Sequence, residues 1–215
     1  MDDMHAPLNR RDRRKAETRQ RISDVATQLF ARRGFDAVTV NEIADAADVS
    51  KVTVFNHFPR KEDMLLDRAP EARALLENAV RSRPAGTSPV EAIRRDLVAR
   101  ARREEPLGGF ADRFTHFWRM IAESPALQAR ARELYEELEL HLATVLAAEA
   151  GHDAPQLEHR LSAALCLSAF RVVYLGTIAR MLTGEPAADV VDDHIALTER
   201  AFAAVQRALE APPTA

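Results

Sequence analysis

Apolar residues recur along most of this chain at the three- and four-residue spacing of an amphipathic helix, and no stretch alternates with the period of a strand. Ile22, Val25, Ala26, Leu29 and Phe30 form the first stripe and predict a helix running to Arg33. Gly34 is placed to close that helix in the left-handed conformation, with Phe35 folding back onto the stripe. Thr39-Val40-Asn41-Glu42 follows, in which the Thr hydroxyl caps a helix start and the Glu three residues on reaches back to the Thr39 amide. That helix turns Val40, Ile43, Ala44 and Ala47 inward and stops at Asp48, and Ser50, another capping residue, opens the next. Two short helices joined by a tight turn result, the second extending to about His57 before Pro59 ends it.

A further helix is predicted from about Arg60, with Glu62 and Asp63 complementing the dipole of its first turn, and Pro70 is expected to kink or break it. Beyond it, helices are predicted over 71–83, 89–104, 110–123, 125–150, 155–182 and 187–211, punctuated by glycine and proline. Residues 1–9 read as a disordered arm and 212–215 as a frayed tail. The fold class is therefore all-α, with about nine or ten helices: a three-helix N-terminal domain over 10–62 and a larger helical domain over 63–215.

Composition sharpens this picture in three places. The net charge of -3 excludes a uniformly basic nucleic-acid coat, yet residues through Lys61 carry 12 Lys and Arg against nine Asp and Glu. The excess lies at the front, in Arg10, Arg11, Arg13, Arg14, Lys15, Arg19 and Arg21. The single cysteine, Cys166, rules out an intrachain disulfide framework and a thiolate-rich metal site, which points to a reducing, cytoplasmic setting. The most apolar stretch, 161–182, is interrupted by Arg171 and Arg180 and reads as a buried helix, so no membrane partner is expected.

The basic first helix, Gly34-Phe35, the capped helix from Thr39, the turn and the run Ser50-Lys51-Val52-Thr53-Val54-Phe55-Asn56-His57-Phe58-Pro59-Arg60-Lys61-Glu62 together resemble the TetR family of transcriptional regulators. The resemblance is closest over about 15–66. It implies a DNA-binding helix-turn-helix over 10–62, with the helix from Ser50 in the major groove of double-stranded DNA. On this reading Lys51 reaches a guanine edge or a phosphate, Thr53 a base, and Val52 makes apolar contact only. Asn56, His57, Lys61 and the helix N-terminus at Thr39 contact phosphates. Ser50 and Phe55 complete the DNA-binding set, and two departures from the family pattern stand out: Asp48 occupies the turn position often filled by Gly, and Phe55 replaces a Tyr whose hydroxyl reaches phosphate.

The rest of the chain supplies candidates for sensing and assembly. Aromatic linings between bundle helices are where apolar ligands bind, which nominates Phe114, Phe117, Trp118, His141, Phe170, Arg171 and Tyr174 as effector-binding residues, with His116, His141, Arg171 and Tyr174 the candidates for orienting a polar or anionic group. The C-terminal part resembles actinobacterial family members that sense acyl-CoA or similar lipids. The last two helices pair small and apolar residues, Leu165, Ala169, Val172 and Gly176 with Ile195, Phe202, Val205 and Leu209, and the resemblance implies that they form the interface of a homodimer. The expected function is a repressor released from a palindromic operator by a small apolar or amphipathic effector, the alternative being a constitutive or architectural DNA-binding regulator. An enzyme is not expected: the one Glu-x-x-His, Glu149 to His152, is broken by Gly151, and Glu137 with His141 lacks a third partner. No metal or cofactor is expected.

Overall fold

The structure, a computed structural model, describes residues 10–210, so the predicted arm and tail lie outside the described residues. Those residues form α1 (Arg10–Arg33), α2 (Val40–Ala46), α3 (Lys51–His57), α4 (Glu62–Leu65), α5 (Ala69–Arg81) and α6 (Pro89–Arg102), then a 3-10 turn (Asp112–Phe114), α7 (Thr115–Glu123), α8 (Pro125–Glu149), α9 (Leu157–Leu182) and α10 (Ala187–Glu210), with no strand among them. They divide into two compact units. Among the described residues, the first holds 10–67 together with Met120–Arg130, and the second holds Arg68–Arg119 and 131–210. Residues 63–67 and 120–130, grouped with the C-terminal part on sequence grounds, thus pack with the first unit.

In the first unit the capping signals act as expected. Gly34 takes φ 82 and donates its amide to the Phe30 carbonyl at 2.8 Å, ending α1. The Glu42 amide donates to Thr39 Oγ1 at 3.3 Å while the Thr39 amide donates to Glu42 Oε2 at 2.8 Å, so both halves of the box are made. Asp48 adopts φ 52, the left-handed turn that its side chain tolerates better than most. Ile22, Ala26, Phe30, Phe35, Val38, Ile43, Val54, Phe58 and Met64 are buried, and Leu127 from the start of α8 is buried in the same unit. Polar ties accompany them: Ser124 Oγ donates to Asp36 at 3.0 Å, and Arg130 Nε to Asp63 at 2.7 Å.

Pro70 does not kink a helix. It stands in the first turn of α5, where an amide is not needed, and the break falls before it, after the single turn of α4. The helix predicted from Phe110 also starts later. Glu104 and Leu107 take φ 51 and 62, and a Cβ on Gly109 would stand 2.4 Å from the Glu105 carbonyl oxygen. This loop carries Phe110 into the core ahead of the 3-10 turn.

The second unit packs α5, α6, α8, α9 and α10 around Val80, Val90, Ile93, Leu142, Leu146, Cys166, Leu167, Phe202 and Val205. Ion pairs Arg73–Glu137 at 2.6 Å and Arg83–Glu149 at 2.7 Å link α5 to α8 in parallel register. A second cluster gathers Phe110, Tyr174, Ile178, Met181, Ala187 and Val190. By length and apolarity α9 would pass for a membrane span, but its inner face supplies Ala163, Cys166, Leu167, Val173 and Tyr174 to the buried interior.

Beside the second cluster His194 is buried with both ring nitrogens engaged, 3.0 Å from Thr177 Oγ1 and 3.3 Å from Thr198 Oγ1. Thr177 donates its own proton to the Val173 carbonyl, so Nδ1–H donates to Thr177 and Nε2 accepts from Thr198. Burial pushes the imidazole pKa down to about 4, which keeps it neutral. An unfolded histidine titrates near 6.5, so this contribution is complete above that pH and is lost as the pH falls toward 4. Between pH 7 and pH 5 the stability advantage of the parent protein over His194→Gln is expected to shrink by about 2 kcal/mol in urea melts. A difference that stays constant over that range would contradict it.

Candidate nucleic-acid interface

The seven residues of α3 are too few to hold a helix unaided, and three attachments keep it in place. Ser50 Oγ accepts the Thr53 amide at 3.0 Å at one end. Val54 and Phe58 bury themselves completely along its inner side. At the other end the Arg19 guanidinium donates to the His57 carbonyl and lies 3.9 Å from the centre of the Phe58 ring. Those anchors fix the rotation of the helix, and Lys51, Val52, Phe55 and Asn56 share the exposed face.

Several expected DNA contacts look different at atomic detail. Thr53 is half-buried, and its hydroxyl pairs with Ser50 Oγ at 2.8 Å. His57 is half-buried too, its pKa lowered first by burial and then by the Lys15 and Arg19 cations. Phe55, expected at the DNA-binding face though without a phosphate-reaching hydroxyl, is 42% exposed on the outer face. At Thr39 the start of α2 is already complemented: Glu42, whose pKa is pushed down to about 2 by the Thr39 amide first and then by Arg33, keeps a carboxylate there. Arg33 holds that carboxylate at 2.7 Å.

Lys61 turns inward. Its ammonium donates to the Phe35 and Val38 carbonyls, both at 2.9 Å, and lies 4.1 Å from the Phe35 ring centre. It ties down the loop between α1 and α2, a role that sequence patterning does not reveal. The cations available to a polyanion are elsewhere: Arg10, Arg14, Lys15, Arg21 and Lys51 are exposed and form no ion pair among the described residues.

The effector candidates separate into a stack and outliers. Phe117 meets Trp118 at 5.0 Å between ring centres, Trp118 meets Tyr174 at 5.4 Å, and Tyr174 stacks on Phe170 at 5.0 Å. Phe114 lies under Arg113, Arg171 is exposed on α9, and His141 faces α5 with Nε2 3.8 Å from Glu77. A cleft of about 820 Å³ opens instead between the start of α6 and the end of α10, lined by Ser88, Glu91, Arg94, Phe202, Gln206 and Arg207 among others, and includes none of the seven candidates. Of the interface candidates, Val172 and Gly176 are exposed, while Leu165, Ala169, Ile195 and Leu209 are half-buried. Phe202 and Val205 are corrected: they lie in the core of the chain's own second unit, because α10, packed on α6 and α9, turns them inward.

The first unit is a helix-turn-helix, a capped short helix carried behind a second one with its outer face free. A model of the N-terminal region of "Bacterial regulatory proteins, tetR family" matches residues 22–67, and one of the "MftR C-terminal domain" matches 87–209. The chain belongs to the tetR family of bacterial regulatory proteins, with a C-terminal domain of the MftR type. It is similar to the HTH-type transcriptional regulator TcmR of Streptomyces glaucescens, 32% identical over 66% of this chain and 65% of that protein. It also resembles MftR of Mycobacterium tuberculosis, 30% identical over 57% and 61%, and the repressor KstR2 of Rhodococcus jostii, 43% identical over 24% and 25%. Each match thus spans less than two thirds of the relative. Among solved structures the SmeT–triclosan complex aligns over 92% of this chain and 96% of that one with TM-score 0.56 at 17% identity. GusR of Salmonella enterica aligns over 98% and 100% with TM-score 0.52 at 19%, and both likenesses concern the fold.

Lys61→Met is expected to cost about 2 kcal/mol of stability in denaturant melts, the worth of losing a charged donor from two carbonyls. The dependence of duplex binding on salt should stay as it is; a slope flattened by about one would instead return Lys61 to the phosphates.

Proposed function

We propose that this chain is a DNA-binding transcriptional repressor, a homodimer that acts in the cytoplasm on a palindromic operator and leaves it when a small apolar or amphipathic effector binds. The observation that carries this reading is the outer face of α3, rigidly presented and accompanied by exposed cations on α1. Membership of a family whose named relatives are transcriptional regulators, KstR2 a repressor among them, supports it.

Dimerisation is supported by α9. Leu157, Leu161, Val172 and Leu175 are exposed along one face, Leu157 at 79% and Val172 at 69%, and Gly176 and Ala179 continue it. On α10 the neighbouring outward positions are Leu197, Ala204 and Ala208, which replace Phe202 and Val205 as the proposed contacts. A two-fold dimer makes the operator palindromic, and helix-turn-helix dimers read such a site with their reading helices about one turn of DNA, 34–36 Å, apart.

The effector reading rests on the aromatic stack of Phe117, Trp118, Phe170 and Tyr174 with the exposed Arg171 nearby in sequence, a setting for a ligand with a flat or aliphatic body and an anionic end. The SmeT structure, similar in fold, is a complex with triclosan. Mutual packing of the same rings favours a second reading, a constitutive regulator in which they are simply core.

Selection from a random duplex pool should recover an inverted repeat, and Leu161→Asp combined with Val172→Asp should give a monomer by light scattering and weaken binding to it about 100-fold. A double variant that stays dimeric would remove α9 from the interface. Thermal-shift screening of acyl-CoAs, fatty acids and apolar aromatics should find a stabiliser that also releases the operator, and silence across the panel would leave the constitutive reading.

A further inference from the structure

Val52 and Phe55 are the two large apolar side chains on the outer face of α3, 68% and 42% exposed, in a unit that otherwise buries its aromatic residues Phe30, Phe35 and Phe58. They lie three residues apart on one helix side, which places their Cβ atoms about 5–6 Å from each other. Lys51 shares the face with its ammonium 6.0 Å from the Phe55 ring centre, and Lys15 and Arg19 lie at the His57 end of the helix. An apolar pair bracketed by cations fits a partner that is anionic overall yet offers apolar points at its surface. Duplex DNA meets that description in one way: in the major groove the thymine 5-methyl is the apolar group on a base edge.

Polar readout from this face is correspondingly thin. The Thr53 hydroxyl is engaged with Ser50, and His57 turns aside, so Lys51 and Asn56 are the polar groups left on it. Resting on the reading of the chain as a DNA-binding regulator, we infer that α3 discriminates its half-site chiefly by seating two thymine methyl groups, one against Val52 and one against Phe55. With a rise of about 3.4 Å per base pair, a Cβ spacing of about 5–6 Å assigns the two thymines to adjacent or next-adjacent base pairs. Phe at position 55 suits this role because it has no hydroxyl to leave unpaired against a methyl.

The test removes the methyl groups and nothing else. In the duplex recovered by selection, each thymine is replaced singly by deoxyuridine, which keeps the Watson–Crick pairing and the O4 acceptor, and binding is measured by fluorescence anisotropy at fixed salt. Two positions per half-site are expected to lose about fourfold in affinity, the value of one buried methyl-sized group. Val52→Ser should abolish the sensitivity at one of them and Phe55→Ser at the other, with helix content unchanged by circular dichroism. A parent protein that binds the selected duplex equally with thymine or deoxyuridine throughout would overturn the inference while leaving the regulator reading intact, and that measurement needs no variant. Changes in oligomeric state on Val52→Ser, with deoxyuridine sensitivity unaltered, would assign the pair to a protein contact and overturn it too. Failure to recover any preferred duplex would overturn the regulator reading and this one together.

Discussion

A seven-residue helix has almost no stability of its own, because the cost of nucleation is spread over too few hydrogen bonds, and everything that α3 does depends on how it is held. Phe58 is the centre of that attachment. It lies just past the last turn of α3, fully buried, and Arg19 both covers its ring and satisfies the terminal His57 carbonyl. One side chain of α1 therefore joins the Ser50 cap and the buried Val54 in fixing which way α3 faces. Because side chains follow the rotation of their helix, that attachment also selects the four residues that reach solvent.

The local signals of this arrangement are legible in the amino-acid sequence. Gly34, the Thr39–Glu42 box, Asp48 and the Ser50 cap each involve groups within four residues of one another, so backbone geometry alone decides what they do. The residues that sequence patterning misplaces share a different cause. Lys61 reaches carbonyls 23 and 26 residues away, Thr53 and His57 are half-buried by the rotation of α3, and Phe202 and Val205 are core by the rotation of α10. Helical periodicity shows that a face is apolar but not which of two partners, the same chain or a second copy, will cover it. Pro70 and Phe110 illustrate a related point: a proline or an aromatic read as a helix breaker or helix start takes its meaning from where the chain must turn to close the core.

In the second unit, α9 carries one apolar face that its own chain covers and another that it leaves exposed. Its inner face carries Cys166, whose thiol pKa burial pushes up to about 12, and Tyr174 among aromatic neighbours, so its polar atoms there are kept un-ionised and chemically quiet. Its outer face leaves leucine and valine in water, Leu157 and Leu161 one helical turn apart and Val172 and Leu175 another, with Gly176 and Ala179 allowing close approach. A helix covered on one side by its own chain and bare on the other is what a subunit with an unfilled half of its core presents. The same helix thus serves as core and as proposed interface, and its hydropathy, high enough to suggest a membrane span, reflects that double duty.

Charge completes the separation of roles in the first unit. The arginine and lysine residues nearest the core are committed to internal acceptors: Arg19 to the His57 carbonyl, Lys61 to Phe35 and Val38, and Arg130 to Asp63. Each such cation is desolvated in part and gives up its long-range field to a neighbour, which fixes geometry rather than supplying attraction. The cations left over, on the solvent side of α1 and at Lys51, retain their hydration and their reach in water of about a Debye length. A polyanion approaching this unit therefore meets steering charges first and an ordered, largely apolar reading surface second. That order lets attraction be general while discrimination stays local, because counterion release acts on any phosphate backbone and methyl contact only on a matching base edge.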